Sequence, residues 1–252
     1  MPTKIRVMPT LLFKDVGLVK GIRFDSSRRI GSAMQAVKVY NLREVDELVL
    51  LDIAATRAGR LPDFEMVDEL ADECFMPLTV GGGVRTVDDV RRLLQVGADK
   101  VALNTAAVDS PELIRDLANL FGSQCVVVSI DVHRAKDGRY EIVTRSGTNP
   151  VAIDPIAFGA RMAASGAGEL LVTSIDRDGT MSGYDIELIR QMAAAVSIPV
   201  IASGGAGSYE HMEQVLREGA AAVAAASIFH FTEHTPLGAK RYLAERGVAV
   251  RL

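Results

Sequence analysis

The chain has 252 residues, of which 48% are hydrophobic and 24% are charged, and its formal net charge is −4. This size and composition are typical of a soluble globular protein with a large core, and the charge excludes a generally basic surface for nucleic acid. No run of about 18 apolar residues and no secretory leader pattern occurs, so we expect no membrane partner. Cys74 and Cys125 lie in apolar surroundings without metal-ligand spacing, which predicts reduced thiols and a cytoplasmic location.

Short apolar runs alternate with amphipathic helical patterns along the whole chain. The predicted strands are residues 5–13, 47–53, 78–80, 100–104, 125–131, 169–174, 199–203 and 222–226. The predicted helices are residues 33–42, 64–74, 87–96, a helix that begins at Ser110-Pro111-Glu112, and residues 155–165, 186–196, 209–218 and 237–246. Eight such units leave two architectures, a closed (β/α)8 barrel or an open doubly wound sheet. No linker or composition shift divides the chain, which predicts one domain.

Two long connections interrupt this alternation. Residues 14–32 follow the first strand and are polar and glycine-containing, and a connection of that length is typical of a lid at the active face. Residues 133–150 follow the fifth strand and depart from the half-barrel pattern. Alternation within residues 136–144 predicts a small hairpin there.

The chain also repeats itself. Residues 80–105 align with residues 203–228 almost without gaps, and the strands that precede these segments align as well. The pairs that the alignment brings together are Gly81 with Gly204, Asn104 with Ser227, Asp52 with Asp176, and Leu12 with Asp131. A long unit present in two copies predicts two half-barrels, approximately residues 1–122 and 123–252, and favours the TIM-type (β/α)8 barrel over the open sheet.

Glycine turns follow the third and seventh strands, and each leads into a helix. Backbone N–H groups of such a turn, together with a helix N-terminus, form an anion site, so the sequence predicts a phosphate seat in each half. The candidate residues of the first half are Gly81, Gly82, Gly83, Asn104 and Thr105. Those of the second half are Gly204, Gly205, Gly207, Ala226 and Ser227, with Gly179 nearby. The alternative is that these glycines only permit tight strand-to-helix turns.

Carboxylates stand at three strand ends, at Asp52, Asp131 and Asp176. A buried acid at that position can transfer protons near neutral pH, although an aspartate there can also cap its loop. Asp178 lies in a turn sequence and is either structural or part of the second phosphate seat. The four histidines, His133, His211, His230 and His234, lack metal-ligand spacing, and no GxGxxG motif follows a strand. We therefore expect no metal, no cofactor and no histidine catalysis.

The opposite ends of four strands carry charges of alternating sign, at Arg6, Glu47, Lys100 and Glu169. Side chains from these positions are expected to form a ring of ion pairs across the bottom of the barrel. Their spacing alone favours a role in stability.

The sequence resembles the cyclase subunit of imidazole glycerol phosphate synthase over essentially the whole chain. The segments that carry the resemblance are DELVLLDI, PLTVGGGVR, GADKVALNTAAV, FGSQCVVVSID, LVTSIDRDGTMSGYD, IPVIASGGAG and AASIFHF. The resemblance implies a barrel that binds a bisphosphorylated ribonucleotide and a glutaminase subunit docked on the N-terminal face of the barrel. It implies that the four ring residues gate ammonia, that Lys20 contacts substrate, and that Asp131 is one member of an acid–base pair.

The second member of that pair is missing. The family's Cys-Leu-Asp-Val becomes Thr10-Leu11-Leu12-Phe13, so Leu12 occupies the position of the other acid. TLLFKDVGLVK and EVDELVLLDI are more similar to a paralogous branch that is associated with acetamidino groups on bacterial surface sugars. Three hypotheses follow: an ammonia-delivering paralogue without cyclase activity, a working cyclase in which Asp52 or Asp176 shares the proton transfer with Asp131, and a non-catalytic activator of a glutaminase.

Overall fold

The computed structural model describes residues 4–252, apart from the side chain of residue 26. Its strands are β1 (Arg6–Lys14), β2 (Gly17–Ile22), β3 (Asp25–Gly31), β4 (Leu48–Asp52), β5 (Leu78–Gly81), β6 (Lys100–Leu103), β7 (Val126–Arg134), β8 (Tyr140–Thr144), β9 (Asn149–Val151), β10 (Glu169–Ser174), β11 (Val200–Ser203) and β12 (Ala222–Ala225). Its helices are α1 (Ala33–Leu42), α2 (Phe64–Asp72), α3 (Val87–Gln95), α4 (Thr105–Asp109), α5 (Glu112–Phe121), α6 (Pro155–Ala164), α7 (Ile186–Ala195), α8 (Tyr209–Arg217), α9 (Ser227–Phe231) and α10 (Pro236–Glu245).

Eight of these strands form a closed parallel barrel. Each pairs with the next in the order β1, β4, β5, β6, β7, β10, β11 and β12, and β12 pairs with β1 through Pro9 and Ala225. Helices alternate with the barrel strands. The predicted (β/α)8 barrel is therefore confirmed, and the open sheet is excluded. None of the helices in residues 4–252 has the length and apolar character that a bilayer span requires.

Local signals place most helix starts where the sequence predicts them. Thr86 accepts a hydrogen bond from the Asp89 backbone N–H while Asp89 caps the Thr86 backbone, so the predicted capping box with aspartate is present. Asp63, Asp154 and Asp185 are the N-caps of α2, α6 and α7, and the side chain of each accepts a hydrogen bond from a backbone N–H group of the first turn. The sequence analysis missed α4 and α9, which have five residues each and follow β6 and β12 directly.

The core consists of two layers. The larger one fills the space between strands and helices and includes the fully buried Leu11, Leu93 and Ile114. The smaller one fills the inside of the barrel and is formed by Met8, Val49, Ala102, Val127, Leu171, Ile201, Ala222 and Ala224. Because side chains alternate along a strand, Arg6 below Met8 and Thr10 above it share this inward face.

Both long connections are antiparallel extensions of barrel strands. β1 turns back into β2, which pairs with β3, and β7 turns back into β8, which pairs with β9. The hairpin that the sequence predicts after the fifth strand is present, with Tyr140–Thr144 as one of its strands. The expected departure of residues 133–150 from the half-barrel pattern is wrong, because a similar hairpin follows the equivalent strand of the first half. The β2–β3 hairpin contacts the connection after β10, where the Arg23 backbone N–H donates to the Asp178 carbonyl oxygen at 2.8 Å.

Strand register corrects the internal alignment. Phe13 pairs with Asp52 as Val132 pairs with Ser174, so Leu12 is equivalent to Asp131, as expected, but Asp52 is equivalent to Ser174 and not to Asp176. The N-caps of α4 and α9 have similar backbone angles, φ −110° and −124°, which makes Asn104 equivalent to Ala226 and Thr105 equivalent to Ser227. The sequence alignment was displaced by one residue in this segment.

Candidate active site

A cavity of about 730 Å³ opens at the carboxyl ends of the barrel strands. It collects thirteen of the predicted site residues together with Leu12: Leu12, Lys20, Asp52, Gly82, Gly83, Asn104, Thr105, Asp131, Asp178, Gly179, Gly204, Gly205, Ala226 and Ser227. Gly81 and Gly207 belong to the same turns but do not line the cavity. Parallel strands bring their carboxyl ends to one face, which is why residues so distant in sequence meet here.

Asp131 is the buried acid of this cavity. The Asn104 amide Nδ2 lies 3.3 Å from Asp131 Oδ2 and donates to the Ser129 carbonyl oxygen at 3.0 Å. Burial raises the pKa of Asp131 to about 7, repulsion from Asp178 adds to the rise, and a hydrogen bond with Thr173 opposes it. Asp131 is therefore able to donate or accept a proton near neutral pH.

Lys20 and Asp178 form a buried ion pair beside Asp131. Lys20 Nζ donates to both carboxylate oxygens of Asp178, at 2.9 Å and 2.8 Å, and the Lys20 side chain is 2% exposed. The pair joins β2 to the connection after β10, so the first hairpin and the second half of the barrel meet across the cavity. Both oxygens of Asp178 are engaged by the ammonium group.

Asp52 is held by its own loop. Its Oδ1 accepts from the backbone N–H groups of Ala54 and Ala55, at 2.8 Å and 2.9 Å, and its Oδ2 faces Arg60 at 3.4 Å. This is the capping arrangement that the sequence analysis kept as an alternative. Asp176 lies outside the cavity, where its Oδ2 accepts from the Arg134 backbone N–H at 2.7 Å, and so it does not join the other predicted residues.

Two seats at the glycine turns face the cavity. We call Gly82, Gly83, Asn104 and Thr105 the first seat, and Gly204, Gly205, Ala226 and Ser227 the second seat. All four glycines have positive φ, from 76° to 109°. A Cβ atom at Gly82 would lie 2.2 Å from the Asp52 carbonyl oxygen, and one at Gly205 would lie 2.1 Å from that of Gly183. Only glycine fits these turns, which is also what a close approach of backbone to an anion requires.

The side chains of the two seats differ. Thr105 Oγ1 accepts from the Arg145 backbone N–H at 3.0 Å and lies 3.3 Å from Asn104 Oδ1. Ser227 Oγ is buried without a hydrogen-bond partner in the described part of the chain, as is Thr10 Oγ1 on the neighbouring strand. A buried unpaired hydroxyl is costly, so both oxygen atoms are suited to meet a polar ligand.

The barrel fold by itself does not specify a protein family, because many unrelated proteins share it, but a match to a family model does. The family model described as "Histidine biosynthesis protein" matches residues 6–235, nearly the whole chain. The chain belongs to the histidine biosynthesis protein family. The family consists of (β/α)8-barrel enzymes of lyase and isomerase type, which agrees with the barrel and with a cavity at its active face.

In this family member the walls of the cavity are unlike. The wall at β6 and β7 is polar and carries Asn104, Ser129 and Asp131. The wall at β12 and β1 offers the hydroxyl groups of Thr10 and Ser227 but no carboxylate, because Leu12 stands at the position equivalent to Asp131. Ala226 stands at the position equivalent to Asn104. Ser129, Thr173 and Thr10 were not predicted as site residues; strand alternation is the signal that places them on the inward face.

The charged ring (Arg6, Glu47, Lys100 and Glu169) closes the opposite end of the barrel. Arg6 contacts Glu47 and Glu169 at 2.7 Å each, and Lys100 contacts the same two acids at 2.9 Å and 3.0 Å. Thr79 Oγ1 also donates to Glu47 at 2.7 Å. The expected ring of alternating ion pairs is present, and the apolar inner layer of the barrel separates it from the cavity.

Proposed function

We propose that the chain is the ammonia-accepting barrel subunit of a glutamine amidotransferase, and that it delivers ammonia without performing the cyclase reaction. The observation that carries the proposal is the strand register, in which Leu12 of the first half holds the position that Asp131 holds in the second half. A leucine side chain can neither donate nor accept a proton, and loss of one proton-transfer group costs roughly 10²–10⁴-fold in rate.

The neighbouring acids do not replace the missing carboxylate. Asp52 is engaged by two backbone N–H groups and Arg60, and Asp178 is held through both oxygens by Lys20. Asp176 lies outside the cavity. Among the hypotheses that the sequence left open, this geometry weakens the working cyclase that uses Asp52 or Asp176.

The interior of the barrel supports ammonia delivery. The charged ring, the apolar inner layer and the cavity follow one another along the inward face of β1, at Arg6, Met8 and Thr10. An apolar layer admits neutral ammonia far more readily than a hydrated ion, because burying a charge without a partner is costly. Separation of the ring residues would open a path from the bottom of the barrel to the cavity.

The end of the barrel that carries the ring also offers a surface for a glutaminase. Leu42 ends α1 and Phe75 lies three residues after α2, and they are 87% and 85% exposed. Asn41 joins these two segments, accepting from the Phe75 backbone N–H at 3.1 Å. The hydrogen bond sets Leu42 and Phe75 on adjoining segments, and exposed apolar side chains that cluster in this way are typical of a protein contact. We propose that a glutaminase subunit docks here and releases ammonia at the ring.

The acceptor of the ammonia is proposed from the resemblance of the first hairpin. TLLFKDVGLVK and EVDELVLLDI are similar to the branch associated with acetamidino groups of surface sugars, so the proposed acceptor is a sugar bound to a third protein. The second candidate is a working cyclase of histidine biosynthesis. It is favoured by Asp131, whose pKa of about 7 suits proton transfer, and by the presence of both seats.

An ammonia-dependent assay separates the two candidates. The purified chain is mixed with the bisphosphorylated ribonucleotide and excess ammonium salt at alkaline pH, which bypasses the glutaminase. We expect no turnover above the rate without protein, although the ligand still binds. Turnover at the rate of an ordinary cyclase would contradict the proposal and place the chain in histidine biosynthesis.

A further inference from the structure

A buried ion pair adjoins the charged ring. Lys240 of α10 donates from Nζ to Asp46 Oδ1 at 3.2 Å and to the Glu44 carbonyl oxygen at 2.9 Å. Asp46 Oδ2 accepts from the Val7 backbone N–H at 3.0 Å. Lys240 and Asp46 are only 3% and 6% exposed, so both charges depend on these contacts. We call Lys240 and Asp46 the latch.

The latch is bonded to the immediate neighbours of two ring residues. Asp46 precedes Glu47 in the chain. Val7, whose backbone N–H donates to Asp46, follows Arg6. Glu47 is an acid that both cations of the ring share, because its Oε2 accepts from Arg6 at 2.7 Å and from Lys100 at 2.9 Å. A displacement of Asp46 therefore moves the carboxylate on which half of the ion pairs of the ring depend.

The latch also anchors a short connection between the proposed docking surface and the ring. Residues 43–47 follow Leu42, which ends α1, and run to Glu47. Glu44 within this connection has a φ of 48°, a conformation that is costly for a residue other than glycine and persists only where its surroundings hold it. Lys240 holds it through the Glu44 carbonyl oxygen. The connection is thus fixed in its middle, between the surface and the ring.

The second half of the barrel has a glycine where the latch has Asp46. The strand register makes Asp46 equivalent to Gly168 and Val7 equivalent to Val126. The Gly168 backbone N–H donates to the Val126 carbonyl oxygen at 2.9 Å. A buried ion pair requires desolvation of both charges and is weak evidence for a role in stability. Because the second half closes with a backbone hydrogen bond at this position, the barrel fold does not by itself require the latch.

From these contacts we infer that Lys240 and Asp46 are positioning residues of the charged ring, and that they hold Arg6 and Glu47 in the closed arrangement. The inference rests on the proposed role of the ring as the point where ammonia enters the barrel. With the latch in place, the four ion pairs of the ring close the bottom of the barrel. Without it, Glu47 separates from its partners more often and exposes Lys100.

Competitive acetylation of the full chain with a trace of acetic anhydride, followed by mass spectrometry, tests the inference. The Lys100 side chain is 17% exposed and paired with two acids, so it reacts when the ring opens. We expect Lys240→Met to raise the acetylation rate of Lys100 roughly fivefold relative to the exposed Lys136, because local opening sets the reactivity of a shielded group.

Two further variants separate positioning from stability. Lys240→Met combined with Asp46→Leu leaves no carboxylate at position 46, so stability is expected to recover, while Lys100 stays reactive because the anchor is absent. This double variant carries the test if Lys240→Met alone does not fold. Leu188→Ala truncates a fully buried side chain of α7, which lowers stability on another helix, and it is expected to leave Lys100 acetylation at the wild-type rate.

The inference is overturned if either latch variant, once folded, is acetylated at Lys100 at the wild-type rate, or if Leu188→Ala raises that rate as much. These outcomes are distinguishable from failure of the proposed function. Acetylation requires neither ammonia nor a glutaminase, so an unchanged rate leaves the argument from Leu12 intact. Conversely, cyclase turnover by the wild type would contradict the proposed function and would leave a measured opening of the ring in place.

Discussion

Replacement of Asp131 by asparagine is expected to stabilise the protein relative to the wild type, and this gain in the free energy of unfolding is expected to be larger at alkaline pH than at acidic pH. The folded chain holds the Asp131 proton up to a pKa of about 7, whereas the unfolded chain releases it near the ordinary value of 3.8. Between these values the folded state binds the additional proton, so the free energy of unfolding falls as the pH rises. Above pH 7 Asp131 is ionised in both the folded and the unfolded state, so this residue no longer changes the free energy of unfolding with pH.

The size of this effect follows from the same two values. Each pH unit inside the window contributes about 1.4 kcal/mol, so the whole window amounts to roughly 4 kcal/mol. Between pH 5 and pH 8.5 only the part up to pH 7 is crossed, which leaves about 3 kcal/mol. Asparagine has the shape of aspartate and no titrating proton, so the variant is expected to gain about this much relative to the wild type over that interval.

Urea unfolding of both proteins at pH 5 and pH 8.5 measures the effect. At each pH the free energy of unfolding of the wild type is subtracted from that of the variant. The change of this difference between pH 5 and pH 8.5 reports on Asp131, because the other titrating groups are common to both proteins and cancel. Asp68→Asn, an exposed site on α2, provides the control and is expected to show no such change. A difference between Asp131→Asn and wild type that is the same at both pH values would refute the argument that burial raises this pKa.

Three further predictions concern packing and docking. Lys240→Met leaves the Asp46 carboxylate buried without its ion-pair partner at 3.2 Å, and calorimetry or urea unfolding is expected to show a loss of about 3–5 kcal/mol; a loss below about 1 kcal/mol would contradict this. Gly205→Ala is expected to lower the melting temperature and to weaken phosphate binding, because its Cβ atom would lie 2.1 Å from a carbonyl oxygen; unchanged values of both would show that the turn relaxes. Phe75→Glu is expected to keep the fold and to abolish copurification with the glutaminase subunit, whereas retained copurification would place the docking surface elsewhere.

Much of the fold could be predicted because each barrel strand is a short apolar run with a polar end. β10 and α1 begin and end where the sequence predicts, at Glu169–Ser174 and Ala33–Leu42. The short helices α4 and α9 were missed because five residues are too few for a helical pattern to show. β2 and β3 were taken for a loop because glycines and charged residues break the alternation of residues 14–32.

The candidate site was predicted by residue type more reliably than by position. Strand-end acids and glycine turns correctly indicated where a cavity would form, and thirteen of the predicted residues line it. Asp176 was misplaced because the sequence alignment set it opposite Asp52, whereas it lies two residues beyond Ser174, the last residue of β10, and outside the cavity.

The most direct test of the account is the ammonia-dependent cyclase activity of Leu12→Asp beside Leu12→Asn. The aspartate and asparagine side chains differ little in shape, and only aspartate supplies a titratable carboxyl group at the position equivalent to Asp131. The account predicts no turnover for the wild type and for Leu12→Asn, and a rise of roughly 10²-fold or more above that background for Leu12→Asp. Equal turnover in all three proteins, at the rate of an ordinary cyclase, would contradict the claim that Leu12 removes the cyclase reaction from this barrel.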